Sequence, residues 1–318
     1  MSKKQLVIID PGTGAVVNYL KENDQIIRAE SRKSYQENKK KQKERVMDFI
    51  NRGLFVRVLH NKDREIEKEL SLTQSDVLQE LFLCVTIDSK NYLVHIDGEK
   101  KGQKMNLTDI SMFLSKSERQ TKRDLTAIVK IGALISEQNP KKKTENYYLL
   151  NSEFFSATKN QGSKVNFTKM FLSKLKEVRS KLNKNQRGAL LKFIRNFHYQ
   201  TYYLVANPNH NIIINPELSI SDNLLLEENK FVLKHLNQRK LALIIGVGEE
   251  AVRGYVEAYE KAGAMMVHRQ HKSYRFIIHP DLMFRKDYEG EDEYTKTIRF
   301  QFKQLENNEK KPQKKKCI

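Results

Sequence analysis

Residues 106–135 (NLTDISMFLSKSERQTKRDLTAIVKIGALI) align without a gap onto residues 237–266 at one offset, 237 − 106 = 131. No other feature limits the fold as tightly. Asn106 meets Asn237, Glu118 meets Glu249, Ala127 meets Ala258, Lys130 meets Lys261, Gly132 meets Gly263 and Ala133 meets Ala264. The apolar pattern carries over, with Ile110 on Leu241, Phe113 on Ile244, Leu125 on Val256 and Ile128 on Tyr259. Self-similarity at a fixed offset marks a duplicated structural unit.

The pattern inside the repeat predicts its form. Leu107, Ile110, Phe113 and Leu114 recur at helical spacing, and residues 115–117 supply turn and N-cap chemistry for a second helix. In that helix Thr121, Leu125, Ile128 and Val129 project to one side, and Lys116, Arg119, Arg123, Thr126 and Lys130 to the other. Gly132 suits a left-handed helix stop. Residues 133–136 and 147–150 read as strands around a Pro- and Lys-rich loop at 139–143. A helix, a tight turn, a longer basic helix and a basic hairpin outline a winged helix-turn-helix. The second copy repeats it, with strands at 265–267 and 274–278 around HRQHKS. LNSEFF at 150–155 is paralleled by IHPDLMF at 278–284. A segment that begins with an amphipathic helix and ends in YLV precedes each copy, over residues 72–94 and 182–205, and residues 92–96 read as a short strand. The expected fold class is mainly α with small β-wings (α+β), as tandem winged helix-turn-helix domains.

Four regions follow: an N-terminal β-hairpin and charged arm (1–60), a first winged domain (61–161), a second with a basic connecting helix (162–288), and an acidic-then-basic tail (289–318). The opening hairpin is expected around DPGTG, and FVRVL at 55–59 reads as a strand. The arm carries KKKQK at 39–43, residues 162–164 read as a linker, and residues 310–316 form a basic tail. Phe167, Met170, Phe171, Leu175, Val178 and Leu182 give the connecting helix one apolar stripe. Residues 206–228 form an insertion with an extra strand expected at 211–215; residues 298–305 suit a strand or a short helix.

With 58 Lys+Arg against 39 Asp+Glu, the formal charge is +19, which calls for an anionic polymer or surface as partner. Arginine and glutamine near the start of a recognition helix suit base edges in a major groove. Arg119, Gln120 and Arg123 are therefore the expected base contacts. Lys116, Lys122, Lys130, Lys141, Lys142, Lys143, Arg269 and Lys272 are the expected phosphate contacts. The second recognition helix holds Glu249, Glu250, Glu257 and Glu260 against Arg253 and Lys261, so its copy is expected to grip backbone through the wing or to bind protein.

Catalytic motifs fail on inspection. GxxxxGK[ST], HExxH, GxSxG and CxxC do not occur, and a nucleophile among Arg253, His271, Arg275 and Tyr288 lacks local support. The expectation is a protein that is not an enzyme, with no catalytic residues, metal or cofactor. Two cysteines give no disulfide framework, and Cys84 sits in an apolar pattern as a small core residue. With no apolar run near ~20 residues and no signal-peptide pattern, the expected location is the cytoplasm, on nucleoid or plasmid DNA.

The second half, from residues 186–197 through LALIIGVGEEAVRGYVEAYEKAGAMM and IHPDLMFRK to FQFKQLE, resembles the RepL-type replication proteins of small plasmids from Gram-positive bacteria. IIDPGTGAVV resembles the start of those proteins. Residues 279–286 depart from their "NPeL-x-R-G"-like segment at its first and last positions. The first copy resembles MarR-like winged domains of plasmid and phage proteins from the same hosts. The resemblance implies sequence-specific binding of double-stranded origin DNA and recruitment of host replication proteins; a homodimer is a separate partner expectation. A plasmid or phage replication initiator is the first expectation. A winged-helix transcriptional regulator of the same element is the second, and a basic protein-interaction scaffold the third.

Overall fold

The computed structural model describes residues 7–9, 16–19, 53–60, 63–157, 166–229, 231–270, 273–285 and 292–309. The chain divides into two units, residues 1–46 and 47–318. In the first, β1 (Val7–Ile9) pairs antiparallel with β2 (Val16–Tyr19), as the DPGTG turn predicts. The basic run at 39–43, the linker at 162–164 and the tail at 310–316 lie outside the described residues.

The second unit is mixed α+β with small sheets. Its first part runs β3 (Phe55–Leu59), α1 (Ile66–Glu69), α2 (Leu72–Leu81), α3 (Leu107–Phe113), α4 (Glu118–Ile131), β4 (Leu134–Gln138), β5 (Asn146–Leu150) and β6 (Phe155–Ser156). Its second part runs β7 (Phe167–Phe171), α5 (Leu172–Ser180), α6 (Lys184–Ala189), α7 (Ile220–Leu225), α8 (Gln238–Ile245), α9 (Glu249–Ala262), β8 (Met265–Gln270), β9 (Ser273–Ile278) and β10 (Met283–Phe284). α10 (Glu293–Glu309) follows.

The duplication extends to individual hydrogen bonds. Asn106 caps α3 and Asn237 caps α8, each side chain accepting an amide at 2.9 Å. Leu93 donates to Tyr148 and Leu204 to Phe276; Met105 donates to Leu93 and Leu236 to Leu204; Val94 donates to Cys84 and Val205 to Asn196. Asn91 and Tyr202 take left-handed backbones (φ 70° and 63°) at the same place in each copy.

The copies meet strand to strand and helix to helix. β3 and β7 are equivalent strands at an offset of 169 − 57 = 112, and they pair antiparallel with Arg57 opposite Lys169, Phe55 opposite Phe171 and Leu59 opposite Phe167. Each strand thus pairs with its own counterpart, which makes the Arg57/Lys169 position a local pseudo-two-fold axis. The sheet order β10-β7-β3-β6 obeys that axis. α2 and α6, which share the offset of 112 and matching capping boxes (Ser71 with Gln74, Asn183 with Gln186), pack against each other across it. A Cβ on Gly188 would stand 1.9 Å from the Leu72 carbonyl oxygen, so α6 approaches α2 at a distance only glycine allows. One apolar core joins both copies through Val77, Leu78, Leu190, Phe193, Ile128 and Tyr259.

Several local expectations change. The stripe starting at Phe167 is not one helix: residues 167–171 form β7, and the helix covers Leu172–Ser180. Strand FTKMF is buried on both faces from Thr168 onward, so no alternation separates it from a helical stripe. Residues 211–215 run as an irregular loop, because the Asn223 side-chain oxygen takes the amides of Ile214 and Asn215, each at 3.0 Å. Residues 92–96 contribute isolated bridges, and residues 298–305 lie inside α10.

Candidate nucleic-acid interface

α4 and its approach are fixed by short-range chemistry. Ser115 adopts a left-handed backbone (φ 51°) between α3 and α4, where the second copy uses Gly246 (φ 80°). Ser117 then caps α4 by accepting the Gln120 amide at 3.3 Å, and Gly132 ends it at φ 83°. Thr121, Leu125 and Ile128 are buried beneath, with Val129 half-buried.

The outward side of α4 carries Arg119, Lys122, Arg123, Thr126 and Lys130, all exposed. Positions 119, 123, 126 and 130 advance by four, three and four residues and so fall on one line along the axis. At ~1.5 Å per residue that line is roughly 16 Å long. Gln120 and Lys116 stand beside it and converge on Asp124: the Gln120 amide donates to one carboxylate oxygen at 2.7 Å and the Lys116 ammonium to the other at 2.7 Å. Sequence periodicity groups Gln120 with Arg119 and Arg123, the expected base contacts; it carries no sign that Asp124 lies within its reach.

The following hairpin projects outward. In β4 only Leu134 is buried, while Ile135, Ser136, Glu137 and Gln138 are exposed. Its tip is ordered: Asn139 accepts the Lys141 amide at 3.0 Å, and Gln138 donates to the Lys143 carbonyl at 2.6 Å. Lys141, Lys142 and Lys143 are exposed there, with Lys142 3.1 Å from Glu145. The Lys104 ammonium lies 3.2 Å from the Tyr92 ring centroid at the hairpin's base.

α9 presents different chemistry on the same scaffold. The counterparts of Arg119, Arg123, Thr126 and Lys130 are Glu250, Gly254, Glu257 and Lys261, all exposed. Arg253 donates to Glu257 at 2.8 Å, a bond that raises the guanidinium's pKa and lowers the carboxyl's. Arg269 donates to Glu260 at 2.7 Å. His271, Lys272 and Tyr288 lie outside the described residues.

Among the described residues, no group of three or more His, Cys, Asp or Glu is placed to hold a metal ion, and no helix is long and apolar enough to cross a membrane. Cys84 is buried, and its thiol is pushed up by desolvation and by the charge of Glu80. The chain matches no family model, no curated protein and no solved structure.

Proposed function

We propose that this chain is a sequence-specific double-stranded DNA-binding protein, built from two winged helix-turn-helix units joined in cis about a pseudo-two-fold axis. The exposed line of Arg119, Arg123, Thr126 and Lys130 on the second helix of a helix-turn-helix carries this reading. Its length of roughly 16 Å matches about five base-pair steps of ~3.4 Å. Arg119 and Arg123 take guanine edges in the major groove, Gln120 and Asp124 frame them, and Lys122, Lys130, Lys141, Lys142 and Lys143 hold phosphates on either side. Lys116 braces Asp124 and adds to the cationic field.

The second unit meets DNA differently. Glu250 and Glu257 oppose a phosphate backbone, so α9 stays out of a groove and the unit touches DNA only through its wing, with Arg269 and Lys272. The target is therefore one directional site read mainly at one end.

In the cell we infer a replication initiator of a plasmid or phage. The covalent tandem with unlike recognition faces supports this, because a regulator more often binds a palindrome as a symmetric dimer. The sequence resemblance to RepL-type proteins is the other support. The experiment selects bound fragments from the protein's own replicon and titrates them against random duplex over a range of salt. Protected repeats beside an origin, bound at least about 10³-fold tighter than random duplex, are expected. Equal, weak binding to both would replace the proposal with the scaffold, and protection confined to one promoter would replace the initiator with a regulator.

A further inference from the structure

The insertion is where the second copy departs most from the first. Between YLV and the capping asparagine, copy one has residues 95–105 and copy two has residues 206–236. The longer segment is framed by asparagine side chains in place of a β-ladder. Asn207 accepts the Lys234 amide and donates to the Val232 carbonyl, both at 2.9 Å. Asn223, fully buried, donates to the carbonyls of Asn215, Leu218 and Ser219, and Asn229 donates to that of Ile212 at 2.7 Å. This ordered frame holds apolar side chains out in water: Leu225 is 81% exposed and Phe231 88%. Residues 206–236 hold Glu217, Asp222, Glu227 and Glu228 against Lys230 and Lys234, a net negative segment in a chain of formal charge +19. An anionic, apolar projection repels a duplex and suits a protein surface that is apolar and cationic.

Such a surface exists on this chain. A cleft of about 440 Å³ opens between the end of α8 and the α1 segment, its lining including Glu67, Lys68, Lys192, Arg195, Leu243 and Ile244. Leu243 stands at its mouth, 77% exposed, within a turn of the exposed Arg239 and Lys240. The wall is rigid, because the Lys192 ammonium donates to the carbonyls of Glu67 and Leu70, and Arg195 donates to the Glu67 carboxylate.

We propose that the insertion of one copy docks into the α8 cleft of a second copy of this chain, Phe231 and Leu225 packing on Leu243 and Ile244 while the insertion's carboxylates face Lys68, Arg239 and Lys240. Donor and acceptor surfaces differ, so the proposed contact is heterologous, and it is proposed to add copies head to tail. Lined up this way, copies face one direction, as successive directional sites on one duplex require.

Sedimentation velocity of the full chain without DNA tests the contact separately from DNA binding. The wild type should gain mass with concentration and pass the dimer without a plateau. Phe231→Ser with Leu225→Ser, and separately Leu243→Ser, should remain monomeric with wild-type circular dichroism, since all three side chains are exposed. An equal mixture of the two variants retains one intact insertion and one intact cleft, and should form a 1:1 complex that grows no further. Glu217→Lys with Glu228→Lys should weaken assembly at least tenfold, and mixing that variant with Arg239→Glu/Lys240→Glu should restore it. A monomeric wild type, a closed dimer, or a variant mixture that forms no complex would each overturn the proposal.

Discussion

Arg179 of the second copy donates to the carboxylate of Glu80 in the first, and the counterparts of these two residues across the pseudo-two-fold axis, Glu67 and Lys192, carry the opposite charges in each copy. The first copy's face holds Glu67, Asp76 and Glu80; the second copy's holds Arg179, Arg187, Lys192 and Arg195. A pairing of like copies would set acid against acid or cation against cation. The unlike pair within one chain is the arrangement these charges select.

Arg179→Ala should cost about 2–3 kcal/mol, because it takes the cation from Glu80 and leaves Asp76 to Arg187 alone on a nearly buried face. Glu80→Ala should cost only about 1 kcal/mol, since Arg179 keeps Asp76 at 2.9 Å. Urea midpoints of the two variants check the order; equal losses would remove the asymmetry.

Gly188→Ala places a methyl 1.9 Å from a backbone oxygen that has little freedom to move. A loss of about 3 kcal/mol is expected. Thermal unfolding of this variant beside Gly254→Ala, where the added Cβ meets nothing within 4 Å, isolates the clash. Equal melting temperatures would mean α6 does not press on α2.

Acid should weaken the fold before the carboxylates titrate. Burial lowers His60 to about 3 and His198, His235 and His279 to about 4, against an ordinary value of 6.5. The unfolded chain thus takes up protons first as pH falls, so stability is full above about pH 6.5 and drains away toward pH 4. For His279 alone the loss at the acid end is on the order of 3 kcal/mol. His279 accepts the Asp281 amide at 3.0 Å, as Asn151 accepts that of Glu153 in the first copy. His279→Asn should therefore keep the turn and flatten stability against pH; an unchanged slope would contradict it.

Neutralising Lys141, Lys142 and Lys143 to Gln should weaken binding to every duplex alike. The salt slope should fall by about one for each phosphate that is no longer neutralised. Binding isotherms at several salt concentrations check this, and an unaltered slope would take the first hairpin out of the interface.

The two helix pairs were legible because their spans match: from Asn106 to Gly132, and again from Asn237 to Gly263, caps and stops keep one offset. The axis between the copies was not. β3 and β7 are related by 112 residues and α3 and α8 by 131, since the insertion shifts the register in between. FTKMF also lacks the alternation that would have named it a strand. The cationic line on α4 followed from periodicity. Asp124's hold on Lys116 and Gln120 did not, because those residues lie beside that line on a surface where any polar side chain fits.

The most direct test compares the sites selected from random duplex by the wild type, by Arg119→Ala/Arg123→Ala, and by Glu250→Ala/Glu257→Ala. Loss of about 1–3 kcal/mol per arginine is predicted, with relaxed base preference at one end of the site only. The α9 variant should select the wild-type sequence with equal or tighter affinity. An unchanged preference in the arginine variant, or a preference abolished in the α9 variant, would contradict base reading by the first copy.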